Sequence, residues 1–380
     1  MSKIKVMSVF GTRPEAIKMA PLVLALEGQP EFFESRVVIT AQHREMLDQV
    51  LDIFNVQPDV DLNIMQKQQT LTDITTRAMQ GLNEVIATEK PDIVLVHGDT
   101  TTSFAAALAA FYNQTAIGHV EAGLRTWNKY SPFPEEMNRQ LTGVMADLHF
   151  SPTAQSKQNL LSEGKNEDAI FVTGNTAIDA LKTTVQDDYH HPILEELGDH
   201  RLILMTAHRR ENLGAPMQGI FEAVREIAEA REDVEIVYPM HMNPAVREKA
   251  TAILGGHPRI HLIEPLDAID FHNFLKKSYL VFTDSGGVQE EAPGMGVPVL
   301  VLRDTTERPE GVEAGTLKLI GTAKEDLKKE AFDLLDNESS YAKMSNANNP
   351  YGDGEASARI LEAIKYHFKK TTERPSDYTV

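Results

Sequence analysis

The sequence predicts an α/β protein made of two doubly wound domains, and three observations lead to this prediction. Short runs of β-branched and other apolar residues alternate with amphipathic stretches, which is the pattern of parallel strands joined by helices. This alternation occurs in both halves of the chain. The chain has 380 residues, more than a single hydrophobic core normally holds. We therefore expect two domains, each with its own parallel sheet.

The predicted strands follow one another at regular intervals. In the first half they cover residues 4–10, 36–40, 93–97, 116–120, 148–151 and 169–173. In the second half they cover residues 202–206, 235–240, 260–263, 280–283, 297–302 and 317–320. We place the first domain at 1–172 and the second at 173–354. A predicted helix at about 355–372 is expected to pack back on the first domain, and residues 371–380 have the composition of a frayed end.

Composition and charge exclude several classes of protein. The net charge of −19 opposes non-specific binding to nucleic acid or to an anionic membrane. No apolar run approaches the roughly 20 residues that span a bilayer, so we expect a cytoplasmic protein. The chain has no cysteine, which excludes disulfides, thiol nucleophiles and thiolate-bound zinc. The sequence gives no support for a metal site.

Polar side chains follow several predicted strands. Asp99, Glu121 and His208 come directly after apolar runs, and Glu135 follows a long aromatic and proline-rich loop. The carboxyl ends of parallel strands line the crevice in which ligands bind. We interpret these four residues as candidate proton donors and acceptors. Taken singly, each acid also fits a helix cap or a solvated ion pair.

Two segments have the pattern of an anion site at the start of a helix. Arg13 and Lys18 lie at and just after a strand, turn and helix start, where the helix N-terminus favours an anion. A surface helix whose cations face water is an equal alternative. Ser285, Gly286 and Gly287 follow another strand, and glycines let the backbone approach a diphosphate closely. Ser285 could donate to a phosphate oxygen, and a plain helix N-cap is the alternative.

Residues close to the second segment extend this hypothesis. Glu290 and Glu291 could accept hydrogen bonds from ribose hydroxyls, although one of them could instead act on the helix dipole. Arg308 lies in a Thr-Glu-Arg-Pro-Glu segment that echoes Thr-Arg-Pro-Glu near the start of the chain. It could reach the same anion, and a salt bridge with Glu310 is the structural alternative.

The chain closely resembles the bacterial non-hydrolysing UDP-N-acetylglucosamine 2-epimerases over nearly its whole length. The resemblance lies in the segments GTRPEAIKMAPL, TAQHREMLDQVL, VHGDTT, GHVEAGLR, PFPEEMNR, TGNTAIDAL, AHRREN, TDSGGVQEEAP, RDTTERPE and NPYGDG. It implies a GT-B-like architecture with two Rossmann-like domains, an active site in the cleft between them, and a homodimer.

The resemblance also implies a reaction. It is reversible epimerisation at carbon 2 of UDP-N-acetylglucosamine to give UDP-N-acetylmannosamine for surface polysaccharide synthesis. UDP is eliminated to leave a 2-acetamidoglucal intermediate and is then added back. Neither NAD nor a metal ion is expected.

Residues that match the family's functional positions form three groups. The catalytic group is Asp99, Glu121, Glu135 and His208, with Asp99 or Glu121 as the base at carbon 2 and Glu135 acting on the opposite face. The substrate-binding group is Arg13, Lys18, Asp99, Glu121, His208, Leu266, Phe271, Ser285, Gly286, Gly287, Glu291 and Arg308. The resemblance further implies an allosteric site for UDP-N-acetylglucosamine at Gln42, His43, Arg209 and His241.

Three other functions stay open from the sequence. A hydrolysing epimerase would let water capture the intermediate and release free sugar. A GT-B glycosyltransferase would pass the sugar to an acceptor, although it would need fewer proton-moving groups than the four present. A UDP-sugar sensor without activity would keep the anion-binding residues but could lose the acids.

Overall fold

The computed structural model describes residues 2–42, 44–66 and 68–380. It divides into two compact units, one formed by Met1–Thr183 with Tyr351–Val380 and the other by Thr184–Pro350. The predicted limits of 1–172 and 173–354 differ from this division. The helix that follows residue 172 belongs to the first unit because its Ala180 lies in the core of that unit. We refer to the two parts as the N-terminal and C-terminal units.

The N-terminal unit contains a seven-stranded sheet in the order β3-β2-β1-β4-β5-β6-β7, and all its pairings are parallel. Its strands are β1 (Ile4–Phe10), β2 (Phe33–Ile39), β3 (Val60–Asp61), β4 (Ile93–His97), β5 (Ala116–Val120), β6 (Leu148–Ser151) and β7 (Ile170–Val172). Its helices are α1 (Arg13–Glu27), α2 (Glu45–Phe54), α3 (Leu71–Glu89), α4 (Thr101–Tyr112), α5 (Glu135–Met145), α6 (Ala154–Ser162), α7 (Thr176–Thr184) and the C-terminal helix (Ala356–His367).

Helices cover both faces of this sheet. Alternate residues of β1 enter two different cores, with Val6 and Phe10 in one and Met7 and Val9 in the other. A strand buried on both faces needs a continuous apolar run, which is why β1 could be recognised in the sequence. The C-terminal helix packs against α1 and contributes Ile360, Leu361 and Ile364 to the first of these cores.

The C-terminal unit contains a six-stranded parallel sheet in the order β10-β9-β8-β11-β12-β13. Its strands are β8 (Arg201–Thr206), β9 (Val234–Pro239), β10 (Ile260–Ile263), β11 (Leu280–Thr283), β12 (Val299–Val301) and β13 (Leu317–Leu319). Its helices are α8 (Pro192–Leu197), α9 (Ala215–Ala230), α10 (Pro244–Leu254), α11 (Ala268–Lys277), α12 (Gly286–Gly294), α13 (Pro309–Ala314), α14 (Lys324–Asp336) and α15 (Glu338–Ser345).

The α/β class and the two doubly wound sheets are confirmed. In each sheet the strand order reverses beside the first strand, between β1 and β4 and between β8 and β11. Such a reversal opens a crevice at the carboxyl ends of the strands, where ligands bind in open α/β sheets. The residues that follow β1, β4, β8 and β11 are therefore the first places to look for a site.

The end of the chain differs from the prediction of a frayed segment. Asp377 accepts a hydrogen bond from the Val172 N–H at 2.9 Å, and the Tyr378 N–H donates to the Val172 carbonyl at 2.7 Å. Arg374 donates to the Ile170 carbonyl at 2.7 Å. Because β7 is an edge strand, these bonds occupy backbone groups that a sheet edge would otherwise expose. The prediction is wrong because it considered local composition only.

The short strand β3 is a second difference, because two residues carry too little pattern to be recognised in a sequence. In the part of the chain that the structure describes, no helix combines the length and hydrophobicity needed to cross a membrane.

Candidate functional site

Asp99 and Glu121 follow β4 and β5, which are neighbours in the N-terminal sheet. Arg139, on α5, contacts both of them. Its Nη2 bonds to the Asp99 carboxylate and lies 3.3 Å from Glu121 Oε1, and its Nη1 donates to the Glu121 carbonyl at 2.6 Å. One guanidinium therefore fixes the two carboxylates in relation to each other.

Glu121 has the most heavily bonded carboxylate of this group. Its Oε2 accepts from the Lys18 ammonium and, at 3.1 Å, from Asn175 Nδ2. Only 6% of the side chain is exposed. Burial acts to raise the pKa of Glu121, but the charges of Lys18 and Arg139 outweigh burial and hold the pKa well below its ordinary value. Glu121 is therefore an ionised and immobile carboxylate.

The Glu121 backbone also has an unusual conformation. Its φ of +62° lies in the left-handed region, which costs a non-glycine residue on the order of 1 kcal/mol or more. The hydrogen bond from Arg139 to the Glu121 carbonyl and the bonds to the Glu121 carboxylate restrain this conformation. The strain is consistent with a site whose geometry is imposed by its surroundings.

His97 lies behind Glu121. Its Nε2 is 3.6 Å from Glu121 Oε2, and within the described residues neither ring nitrogen makes a hydrogen bond. Burial lowers the pKa of His97 to about 4, although the Glu121 carboxylate acts in the opposite direction. The ring is neutral at neutral pH, and so it does not add a third cation to the pair around Glu121.

Glu15 connects the turn after β1 with the turn after β4. Its Oε2 accepts from the N–H groups of Gly11 and Thr12 at 3.1 and 2.9 Å. Its Oε1 accepts from the hydroxyls of Thr100 and Ser103 at 2.7 and 3.0 Å. This buried carboxylate thus holds the start of α1, which carries Lys18, in a fixed position relative to the Asp99 turn.

Glu135 is the first residue of α5 and is half-buried. Burial raises its pKa, and the Asp99 carboxylate raises it further. A carboxyl group with a raised pKa keeps its proton at a higher pH than an ordinary one, which suits it to donate a proton. The next residue, Glu136, is structural, since it accepts hydrogen bonds from the backbone of Thr126 and Trp127 and so anchors the preceding loop.

The C-terminal unit holds a second group of polar residues, after β8 and β11. The Asp284 Oδ2 atom accepts from the N–H groups of His208 and Arg209 at 2.9 and 2.8 Å and from Asn212 Nδ2 at 3.0 Å. The His208 ring is 38% exposed and lies 5.1 Å from the ring of His241, between centroids. Burial lowers the pKa of His208, while Asp284 acts to raise it.

Ser285 precedes α12 as its N-cap residue, and its side chain makes no capping hydrogen bond. A Cβ atom on Gly286 would lie 2.6 Å from Arg308 Nη1, so only glycine allows this guanidinium to approach the helix start. Arg308 Nε in turn donates to the buried Glu290 at 2.7 Å. Glu290 is therefore paired with Arg308, and its role in binding ribose stays a prediction.

Three arginines of the C-terminal unit surround Glu307. Burial acts to raise the pKa of this carboxyl, but the nearby charges of Arg308, Arg303 and Arg209 lower it to about 2. Arg209 also donates through Nε to the Asp284 carbonyl at 3.1 Å. Arg308 and Arg209 thus lie at the N-terminus of α12, where a helix already favours anions, and each is paired with a carboxylate of the same unit.

The remaining predicted residues lie outside these two groups. Phe271 and Leu266 are partly buried against the same core, and the His272 Nε2 lies 3.6 Å from Glu291 Oε2.

Arg13 is the first residue of α1. Gln42 belongs to the N-terminal unit and accepts from the Thr102 hydroxyl at 3.2 Å. His43 lies outside the described residues. Within the described ranges, no three His, Asp or Glu side chains form a group that could hold a metal ion.

Three residues that organise these groups were not predicted. Arg139 lies four positions after Glu135, a spacing that puts both on one face of a helix. Asn175 follows β7, and Asp284 precedes the predicted glycine turn. Because Arg139 and Asp284 lie so close in the sequence to predicted site residues, both could have been chosen as candidate site residues. The sequence could not have shown that their partners are Glu121 and the backbone after β8.

Comparison with known proteins gives a consistent result. A family model described as UDP-N-acetylglucosamine 2-epimerase matches residues 25–365. The UDP-N-acetylglucosamine 2-epimerase of Bacillus subtilis (strain 168) is 64% identical over 379 residues, covering 100% of both chains.

Solved structures agree with this comparison. One from Listeria monocytogenes is 80% identical, covers 100% of both chains and superposes with a TM-score of 0.96. The UDP-GlcNAc 2-epimerase of Neisseria meningitidis, solved with UDP-GlcNAc bound, is 49% identical and covers 95% of this chain and 99% of its own, with a TM-score of 0.88.

We predict that Arg139→Met lowers the free energy of unfolding by roughly 3 to 5 kcal/mol, because it leaves Glu121 buried with one cation fewer. Arg36→Met is the matched control, since Arg36 pairs with Glu34 and Asp59 at the surface of the same unit. An exposed pair of this kind contributes about 1 kcal/mol or less. Urea unfolding followed by circular dichroism measures both losses, and equal losses would contradict the prediction.

Proposed function

The chain belongs to the UDP-N-acetylglucosamine 2-epimerase family, and we propose that it interconverts UDP-N-acetylglucosamine and UDP-N-acetylmannosamine without releasing free sugar. The proposal rests on one observation: the two units of the chain carry different kinds of polar group. The C-terminal unit presents cations and a glycine turn at a helix N-terminus, and the N-terminal unit presents three carboxylates in unlike environments. The first arrangement suits a diphosphate, and the second suits proton transfer.

The reaction explains why both kinds of group are needed. The hydrogen on carbon 2 of the sugar neighbours an amide nitrogen and not a carbonyl, so it is not acidic enough for simple enolisation. Loss of UDP from carbon 1 drives its removal and leaves 2-acetamidoglucal. Addition of UDP with protonation from the other face then inverts carbon 2. The proposal therefore requires stabilisation of a leaving diphosphate and proton transfer on two faces.

We assign nucleotide binding to the C-terminal unit. Ser285, Gly286 and Gly287 would receive the diphosphate at the start of α12, where backbone N–H groups and the helix dipole favour negative charge. Arg308 and His208 would add positive charge that grows in importance as UDP leaves. Phe271 and Leu266 would contact the base, and Glu291 would accept from the ribose. Arg13, at the start of α1, is a further candidate for the diphosphate.

The structural environments divide the proton-transfer roles among the acids. Glu121 is held by Lys18, Arg139 and Asn175, so it would stabilise charge and position these groups instead of taking a proton. The Asp99 side chain is 31% exposed, against 6% for Glu121, which makes Asp99 the better base at carbon 2. Glu135, with its raised pKa, would transfer the proton on the opposite face.

We also propose that the reaction needs neither NAD nor a metal ion. Elimination and addition change no oxidation state overall, so no hydride carrier is required, and Arg308 and His208 would supply the charge that a metal ion could otherwise give to the leaving diphosphate. Allosteric activation by UDP-N-acetylglucosamine is a separate part of the proposal. Arg209 and His241 lie near His208 in the C-terminal unit, and this position supports a role for them in such a site.

A homodimer completes the proposal. Phe111 and Tyr112 at the end of α4 and Leu141 and Val144 on α5 are exposed apolar side chains, and the two helices pack against each other. An apolar surface of this kind is typical of an interface.

The first prediction concerns the reaction itself. In heavy water without added metal or NAD, proton NMR should show UDP-N-acetylmannosamine forming from UDP-N-acetylglucosamine, with deuterium entering carbon 2 and little free sugar. If Asp99 is the base, Asp99→Asn should lower the rate of epimer formation and the rate of deuterium entry at least 100-fold. Asp188→Asn, at an exposed position, should lower neither rate. Release of N-acetylmannosamine and UDP would favour the hydrolysing reaction, and near-normal turnover of Asp99→Asn would exclude a required base there.

The second prediction concerns activation. The initial rate should depend sigmoidally on UDP-N-acetylglucosamine, and UDP-N-acetylmannosamine alone should react slowly until a little UDP-N-acetylglucosamine is added. His241→Ala should weaken the activation, while His190→Ala, at an exposed site in the same unit, should not. Hyperbolic kinetics with full reverse activity would count against the allosteric site.

The third prediction concerns assembly. Val144 is 70% exposed, and Val144→Glu would place a charge within the proposed interface, so sedimentation velocity should detect monomers. Val380→Glu, at an equally exposed position at the chain end, should leave the sedimentation coefficient unchanged. A wild-type protein that sediments as a monomer would end the dimer proposal.

A further inference from the structure

Asp284 has a fully buried carboxylate whose two oxygens differ in their surroundings. The Oδ2 atom accepts three hydrogen bonds, from the His208 and Arg209 N–H groups and from Asn212. Among the described residues, the Oδ1 atom accepts none and lies 3.7 Å from His208 Nδ1. Buried polar atoms in proteins are nearly always hydrogen-bonded, so an oxygen left in this state requires an explanation.

We infer that Asp284 is a positioning residue for His208, with Oδ1 accepting from His208 Nδ1–H when ligand binds. The three bonds to Oδ2 fix the carboxylate and the backbone of His208 relative to each other, so a small rotation of the imidazole closes the remaining distance. Nδ1 then carries a proton, and Nε2 is the nitrogen left for the ligand. A carboxylate that fixes the tautomer of a catalytic histidine is a recurring arrangement in enzymes.

The charges around His208 show what Asp284 contributes. Three groups face the ring, namely Asp284 from the turn after β11, His241 from the turn after β9, and the adjacent Arg209. Burial lowers the pKa of His208, and His241 and Arg209 lower it further, whereas Asp284 raises it. Asp284 is the one member of this set that favours the protonated ring. It therefore opposes, without outweighing, the groups that favour the neutral ring.

This inference rests on the proposed function, because the diphosphate of the nucleotide sugar is the anion that a protonated His208 would meet. As UDP leaves, the bond between carbon 1 and the phosphate oxygen breaks and its electron pair stays on that oxygen. A protonated His208 donates a hydrogen bond from Nε2 to the phosphate and stabilises the added charge. Asp284 does not touch the substrate and acts through His208.

The test is a titration of His208 by NMR in the ligand-free protein, with the resonance assigned from its loss in His208→Asn. Asp284→Asn keeps the shape of the side chain but removes its charge, so it should lower the pKa of His208 by about 1 to 3 units, the range expected for an opposite charge at this distance. Asn212→Ala is the matched control, because it removes one bond to the same carboxylate and leaves the charge in place. It should change the pKa of His208 by less than about half a unit.

Two outcomes would overturn the inference. One is an unchanged pKa of His208 in a folded Asp284→Asn. The other is a change in the pKa of His208 in Asn212→Ala as large as in Asp284→Asn, because the shift would then come from loss of the bonds that anchor the loop. The wild-type protein provides a second measurement if Asp284→Asn does not fold. With UDP bound, nitrogen-15 shifts of neutral His208 should show the proton on Nδ1, and a proton on Nε2 would contradict the proposal.

Activity separates this inference from the proposed function. If wild-type protein epimerises UDP-N-acetylglucosamine, the alkaline limb of its pH–rate profile should move to lower pH in Asp284→Asn, because the required proton is lost earlier. An unmoved limb would contradict the inference. A wild-type protein without epimerase activity would overturn the proposed function alone, since the titration is made without ligand.

Discussion

The buried charge of Glu121 is the constraint on which the polar architecture of the N-terminal unit depends. A carboxylate removed from water is costly unless cations and hydrogen-bond donors surround it. Its partners come from three separate elements, with Lys18 on α1, Arg139 on α5 and Asn175 after β7. These elements must therefore pack at fixed distances from the end of β5. A single charge thus links the positions of helices that are far apart in the sequence.

The C-terminal unit uses a buried carboxylate in a different way. Asp284 also follows a strand, but its Oδ2 atom accepts from two backbone N–H groups and one amide, and from no cation among the described side chains. Arg209, Arg303 and Arg308 lie instead around Glu307, and Arg308 also bonds to Glu290. In the N-terminal unit, cations neutralise the Glu121 carboxylate and hold it in place. In the C-terminal unit, Asp284 fixes the loop after β8 beside the start of α12.

The sequence was sufficient for the fold class and for most strands, because strands buried on both faces are continuous apolar runs with recognisable ends. It also located Asp99, Glu121 and Ser285 correctly at strand ends. It could not identify the partners of these residues. Lys18, predicted beside an anion, bonds to Glu121, and Asn175 reaches the same carboxylate from beyond β7. Such pairs depend on tertiary packing, which no local pattern records. The same reason explains the missed β3 and the ordered chain end.

The return of the C-terminal helix to the N-terminal unit has a consequence for synthesis on the ribosome. Residues 184–350 form one continuous segment, so the C-terminal unit has all its residues once that segment has emerged. The N-terminal unit, by contrast, lacks Ile360, Leu361 and Ile364 of its core until the whole C-terminal unit has been translated. Domains generally fold as units when their residues become available. Of the two units, the one that begins first is thus the second to complete its fold, and a nascent chain must carry its unfinished core while the C-terminal unit is being made.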